Sequence, residues 1–537
     1  MELVIGDHQH VRGSDVDMAD DWERSEADLE RRRAAARAMG GEDAVARLHA
    51  RGKSSARERL DELLDPDSFN EIGLLAQGEI GRADGETEVL HADSVVTGWG
   101  EIDGRKVFVA ADDGSVMAGA AGLLNVEKRF RIRRMAVQQG YPFIGLYEGS
   151  AIRFQDSMNA AIMARVPAFK EILDCVGIVP QVAAVMGPAF GRPPMDVLYS
   201  ELALQVAGTG HLGLSGPALV KGGIGEDTDI ESLAGPEMHA DKTGMIDLVS
   251  PDETACLADI RRFLGYMPAN AWALPPRREP DGGRDRPCPE LKDIVPANLR
   301  RPYDVNDVIA VLADQGSLFP FKATFGLGLV TTLARMDGQV VGVVANQPQY
   351  QGGVIDADAA FKARRFVALC DLFHIPLLFL QDQPGFLPGA AAEASRIVFW
   401  GGTLLATVER ATVPKVTVIM RKSHGAACWA LGKGGRSAEA GDMVFAWPIA
   451  IMTGTGPSSA VYTVHARELQ AADDPDARRR ELEAHYNQSG SVYGAAAAFG
   501  VDDVITPEET RRRIIAALEM AAGRLSRNLG PKTPLFP

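Results

Sequence analysis

Residues 96–113, VTGWGEIDGRKVFVAADD, and residues 330–347, VTTLARMDGQVVGVVANQ, are two versions of one pattern. The constant offset that lays Val96 on Val330 also lays Thr97, Asp103, Gly104, Val107, Val109 and Ala111 on Thr331, Asp337, Gly338, Val341, Val343 and Ala345. The same ungapped shift carries Lys128 onto Lys362, Arg131 onto Arg365, Pro142 onto Pro376 and Leu146 onto Leu380. Further on it carries Val179-Pro180 onto Val413-Pro414, Val182 onto Val416, Met186 onto Met420 and Gly191 onto Gly425. A register held across about ninety positions is a duplication, and each copy is one structural unit.

Within each copy the order of elements is the same. An Asp-Gly pair between alternating apolar residues predicts a hairpin. A helical stretch through Lys128 or Lys362 follows, then a short apolar strand, PFIGLYE or PLLFLQD, another helix and a second strand, VPQVAAVMG or VPKVTVIMR. Strands alternating with helices predict an α/β fold built on a mostly parallel sheet, with ligands at the carboxyl ends of its strands. Outside the copies, residues 1–45 form an acidic, helix-prone arm, broken at Gly40-Gly41, and the helical stretch that continues from it ends at Pro66. Residues 46–274 and 303–537 are the two repeat domains, and the Pro- and Gly-rich segment 275–302 is the expected linker.

Composition narrows the function. With 56 basic and 72 acidic residues, a net charge of −16 argues against a general nucleic-acid or anionic-membrane surface. No apolar run approaches the roughly 18 residues of a membrane span, and the acidic N-terminus is unlike a targeting signal, so a cytoplasmic protein is expected. Five scattered cysteines without a C-x-x-C pair indicate neither a disulfide framework nor a metal site. P-loop, zincin, G-x-S-x-G and dinucleotide motifs are absent. What remain are the turns after the second strand of each copy, Gly187-Pro188-Ala189-Phe190-Gly191-Arg192 and Arg421-Lys422-Ser423-His424-Gly425-Ala426-Ala427. Small residues entering a helix leave backbone N–H groups open, and such groups can hold an oxyanion.

Several runs carry a family likeness: ARGKSSARERLDELLDPDSF (50–69), GEIDGRKVFVAADD (100–113), VVGVVANQP (340–348), FKARRFVALCDLFHIPLLFLQDQPGFLPG (361–389) and ATVPKVTVIMRKSHGAA (411–427). From about Ala50 to Leu525 the chain resembles the carboxyltransferase β-subunits of biotin-dependent acyl-CoA carboxylases, of the propionyl-CoA carboxylase type. The resemblance implies a tandem pair of crotonase-like domains and transfer of CO2 between carboxybiotin, held on a separate carrier protein, and the α-carbon of an acyl-CoA. It also implies a homo-oligomer of facing subunits, a hexamer, working with a biotin carboxylase and biotin carrier subunit, since this chain has no Met-Lys-Met site and no ATP-binding motif of its own. On the analogy, the N–H groups of Gly191 and Arg192 hold the thioester oxygen and those of Ala426 and Ala427, after Gly425, hold the biotin oxygen. The biotin anion left by CO2 then takes the α-proton. Lys128, Glu148, Arg153, Phe190 and Trp429 fall at or near the substrate.

The chain departs from the family around the acyl site. Asp-Ser-Gly-Gly-Ala-Arg-Ile-Gln becomes Glu148-Gly149-Ser150-Ala151-Ile152-Arg153-Phe154-Gln155, and Gly-Pro-Cys-Ala-Gly-Gly-Ala-Val becomes GPAFGRPP at residues 187–194. A side chain now grows from Arg192, and Pro193-Pro194 removes two N–H donors. Tyr-Gly-Gly-Ala-Tyr-Asp becomes His424-Gly425-Ala426-Ala427-Cys428-Trp429. These changes mark a divergent member, with Arg192 as a cation for a substrate carboxylate or enolate and Glu148 as an orienting group or base. Two other readings stay open: a biotin-independent decarboxylase or other enolate-forming thioester enzyme, and a non-catalytic structural paralogue.

Overall fold

The computed structural model describes residues 18–81, 87–149, 152–166, 169–280, 283–432 and 442–534. The first part of the acidic arm, residues 1–17, and Ser150-Ala151 of the first-copy loop lie outside the described residues.

Three helices lead in: α1 (Met18–Ala38), α2 (Glu42–His49) and α3 (Ala56–Leu63). The glycine break falls between α1 and α2, where Gly41 has φ of +84° and Gly40 lies so close to the Ser115 carbonyl that a Cβ would clash. Ser55 and Glu58 form a capping box at the start of α3. This helix buries Leu60, Leu63 and Arg59 against the first sheet.

That sheet contains β1 (Asn70–Glu71), β4 (Val95–Ile102), β5 (Arg105–Asp112), β6 (Phe143–Gly149), β7 (Gln181–Phe190), β8 (Leu202–Val206) and β10 (Leu248–Ser250), in the order 1-4-5-6-7-8-10. A short β9 (His211–Gly213) pairs with the end of β7, and a separate ribbon joins β2 (Gln77–Gly81) to β3 (Thr87–His91). The second sheet repeats the order with β11 (Phe319–Phe321), β12 (Leu329–Met336), β13 (Gln339–Asn346), β14 (Leu377–Gln383), β15 (Lys415–His424), β16 (Met443–Ala446) and β18 (Asp503–Val504). Its β17 (Ile451–Thr453) pairs with β15 as β9 does with β7. The hairpins β4–β5 and β12–β13 are antiparallel and the strands that follow are parallel. Central strands such as β6 and β14 are buried along their whole length, as expected of a sheet covered on both faces.

The duplication is reproduced in the strand pairing itself. Phe108 faces Phe143 and Phe143 faces Gln181; at the matching positions of the second copy, Gly342 faces Leu377 and Leu377 faces Lys415. Even the register irregularity is copied, before Gly149–Ala189 in one half and Gln383–Ser423 in the other. Both Asp-Gly turns have positive φ at both residues, +50° and +71° at 103–104 and +52° and +74° at 337–338, the conformation that suits a two-residue hairpin.

The halves share one core. A single cluster of buried side chains includes Leu60, Ile144 and Phe263 from the first half with Phe319, Phe366 and Leu404 from the second. Segment 275–302, though poor in apolar residues, is docked on the second half. Cys288 and Leu291 are fully buried, and Arg421 donates to the carbonyls of Pro296, Asn298 and Arg301. Among the described residues no disulfide forms, and all five cysteines are buried.

Candidate active site

In each half the longest parallel strand runs directly into a helix. Strand β7 leads into α5 (Pro193–Leu198) and β15 into α7 (Ala427–Ala430). The turn residues Gly191 and Gly425 sit at φ of +82° and +64°, which accounts for glycine at both positions. Their amides are already engaged: Gly191 N–H donates to Gly213 O and Gly425 N–H to Thr453 O, each at 3.0 Å. This corrects the expectation that Gly191 supplies an oxyanion donor, because its N–H closes the β7–β9 extension.

The remaining candidate donors of each turn lie one residue later. In the second copy they are Ala426 and Ala427; among the described residues, no acceptor engages either amide. In the first copy the same two positions are Arg192 and Pro193, so the proline leaves the Arg192 amide as the most this junction can offer. The duplicated turn has thus kept a two-donor arrangement in one half and reduced it in the other.

Glu148 and its repeat partner Asp382 stand at the ends of β6 and β14, each buried and each held by two cations. Glu148, 3% exposed, pairs with Lys53 and, at 2.5 Å, with Arg59. Arg59 continues to Glu253 at 2.6 Å. Asp382 pairs with Arg421 at 2.7 Å and Lys422 at 3.2 Å. At the position of Arg421 the first half has Gly187, where a Cβ would come within 2.8 Å of both Glu148 Cγ and Lys53 Nζ. The missing side chain makes room for cations delivered by the segment around α3. Glu148, expected as an orienting group or base, is thus a buried anchor for that segment, ion-paired to Lys53 and Arg59.

Two more of the residues expected near the substrate are buried. Lys128 lies in the core on α4 (Leu123–Gln139), its ammonium donating to Ala92 O at 3.1 Å and Val95 O at 2.6 Å. Lys362, on α6 (Ala357–Leu372), does the same for the carbonyls of Lys322 and Phe325. Burial pulls Lys128 down to about 8 and Lys362 to about 7. This repeated lysine clips the chain before each hairpin. Arg153 is also buried, bridging Asp93 at 2.7 Å and Asp156 at 3.0 Å.

Phe190 closes β7 and rests against Gly213, where a Cβ would crowd its ring at 3.1 Å, and against Gly216. Trp429 is 44% exposed on α7, two residues from the open amides, so it does not fill the core. Arg192 turns its guanidinium between Phe130 and Phe169, 4.5 and 5.0 Å from the ring centres.

The structure adds a residue that the sequence showed only as a replacement for the family tyrosine. His424 is buried, with Nδ1 2.7 Å from Thr453 Oγ1, and Thr453 donates its own proton to Thr455 O at 2.6 Å. The hydroxyl must then accept, so the imidazole carries its proton on Nδ1. Burial and neighbouring Lys422 push His424 down to about 4, which keeps it neutral.

Residues 47–533 match the carboxyl transferase domain family. The chain is 38% identical over 494 residues to the propionyl-CoA carboxylase carboxyltransferase subunit of Haloferax mediterranei, covering 92% of this chain and 95% of that protein. It is 36% identical over 528 residues to the methylmalonyl-CoA carboxyltransferase 12S subunit of Propionibacterium freudenreichii subsp. shermanii, covering 98% and 100%. The fold superposes on a crystal structure of transcarboxylase 12S, a hexamer with methylmalonyl-coenzyme A and methylmalonic acid bound, with a TM-score of 0.87, 37% identity and coverage of 95% and 97%. On sequence, strand order and fold together, the chain belongs to the carboxyl transferase domain family, with two crotonase-like halves.

Proposed function

We propose that the chain transfers a carboxyl group between carboxybiotin on a separate carrier protein and the α-carbon of an acyl-CoA. The observation that carries this reading is the pair of open amides, Ala426 and Ala427, at the end of β15. Two backbone donors at a helix start suit a carbonyl oxygen that gains negative charge, and being fixed by the fold they need no reorganisation. They fit the ureido oxygen of biotin. When bound, carboxybiotin supplies the carboxyl group and, once that has left, a base for the α-proton. In the first half the Arg192 amide faces the thioester oxygen, with Gly191 fixing the turn that aims it. Neutral His424 holds the second turn through Thr453 and adds no competing charge beside the amides.

The working form is a homo-oligomer of facing subunits, a hexamer like that of transcarboxylase 12S, in partnership with a biotin carboxylase and biotin carrier subunit. The helices after β9 and β17 support it, since their apolar residues Leu219, Ile224, Tyr462 and Val464 all lie exposed on the single chain. The test is to incubate the purified chain with malonyl-type CoA thioesters, with and without free biotin, and follow the thioesters by mass spectrometry. Loss of the carboxyl group only with biotin present supports the proposal. Loss without biotin selects a biotin-independent decarboxylase, and no reaction in either selects a structural role.

A further inference from the structure

Under the first junction, between the ends of β5 and β6 and helices α4 and α5, lies a cavity of about 30 Å³, the size of one carboxylate group or one water. Its wall contains Asp112, Arg129, Tyr147, Arg192 and Asp196. Arg129 places Nη2 on Asp112, while Arg133 behind it places Nη1 on Asp196 at 3.0 Å and Nη2 on the Tyr147 hydroxyl at 3.3 Å. Arg192 is the third guanidinium in the same electrostatic neighbourhood, feeling Asp196, Arg133 and Arg129 together. Three arginines thus face two aspartates. Arg129 is only 7% exposed, and among the described residues its Nη1 has no hydrogen-bond acceptor. An unmatched buried guanidinium N–H is costly, and the group that satisfies it best is an anion.

The fold does not require these charges. At the repeat positions of Asp112, Arg129, Arg133, Tyr147, Arg192 and Asp196 the second copy has Asn346, Ala363, Val367, Gln381, Ala426 and Ala430. The same sheet and helix pack there with no ionised group at any of the six. The cluster is a property of the first site.

We propose that this cavity receives the terminal carboxylate of a dicarboxylic acyl thioester, a carboxylate distinct from the one transferred. This rests on the reading of the junction as the acyl-thioester site. An arginine guanidinium lies roughly 6 Å from its own backbone N–H when the side chain is extended. With the thioester oxygen at the Arg192 amide and the anion at the guanidinium, the acyl chain spans about four or five carbons. Phe130 and Phe169 lie against the guanidinium and hold it in place, and a carboxylate meets a guanidinium along its N–H edge.

The test is calorimetric titration of the full-length protein with glutaryl-CoA and with valeryl-CoA, the neutral five-carbon counterpart. At least tenfold tighter binding of glutaryl-CoA is expected, and Arg192→Met, shown to be folded by circular dichroism, should abolish the preference. Equal binding of the two thioesters by the wild type overturns the proposal and leaves carboxyl transfer standing. Binding of neither overturns both, and a preference that survives in folded Arg192→Met removes Arg192 from the subsite. The wild-type comparison decides the main point even if the variant fails to fold.

Discussion

At Ala427 a single N–H separates the two halves' chemistry, because Pro193 at the equivalent place has none. The first turn accepts proline with Arg192 in a helical conformation, φ −75° and ψ −43°, and Ala426 has nearly the same φ of −64°. Ala427→Pro should therefore fold normally and lose one oxyanion donor. Carboxyl transfer should fall by about 10²- to 10³-fold in kcat, with an unchanged melting temperature; an unchanged rate would remove the Ala427 amide from the mechanism. His424 makes a prediction in pH. Its folded pKa of about 4 lies below the ordinary 6.5, so as pH falls between these values the unfolded chain takes up a proton that the folded chain refuses. Wild-type stability relative to His424→Gln should thus decline by about 1.4 kcal/mol per pH unit from pH 6.5 to 4. Urea titrations of both proteins at pH 4.5, 5.5 and 6.5 measure it, and a flat difference would contradict the neutral, Nδ1-protonated imidazole.

Helix α3 gains its place through charge as much as through Leu60 and Leu63. Arg59 is fully buried between Glu148, at the end of β6, and Glu253. Arg59→Met would strand two buried carboxylates, with an expected loss of about 3–5 kcal/mol in urea unfolding; a loss below 1 kcal/mol would mean that Lys53 and solvent suffice. The element scale also shows what the sequence could disclose. The constant offset between the copies foretold the hairpins, the order of strands and helices, and the junctions after β7 and β15, because side chains covered on both faces of a sheet constrain every position. It could not foretell which amides stay open. The acceptors of Gly191 and Gly425, Gly213 O and Thr453 O, lie far along the chain on strands that follow loops of unequal length. Those loops are under no constraint from the sheet, and there the repeat slips: His211 on β9 matches Ile451 on β17, where the earlier offset points to Phe445. The burial of Lys128, Glu148 and Arg153 was hidden for a related reason: the partners that hold them, a carbonyl for Lys128, cations for Glu148 and a carboxylate for Arg153, lie on other elements and are out of view along the chain.

Across the whole molecule the repeats do not behave as two beads. Besides the shared core, Lys322 at the start of the second sheet pairs with Asp247 of the first at 2.7 Å, Arg335 donates to Gly265 O at 2.7 Å, and Arg365 reaches Leu198 O at 3.2 Å. The Phe263 ring lies 5.9 Å from Phe319 and 6.2 Å from Phe321, so one residue of the first half anchors the aromatic group of the second. A core that crosses the boundary should couple the opening of both sheets. Phe263→Ala removes a fully buried ring and should cost about 3–5 kcal/mol. The coupling requires that this loss appear equally in both halves. Hydrogen exchange followed by mass spectrometry on peptides covering β6 and β14, across a urea series, reads the two sheets separately. The expected result is one common midpoint for both strands in the wild type and the same downward shift for both in Phe263→Ala. If β6 loses protection at lower urea while β14 keeps its wild-type midpoint, the halves are independent folding units and the shared cluster is only contact between them.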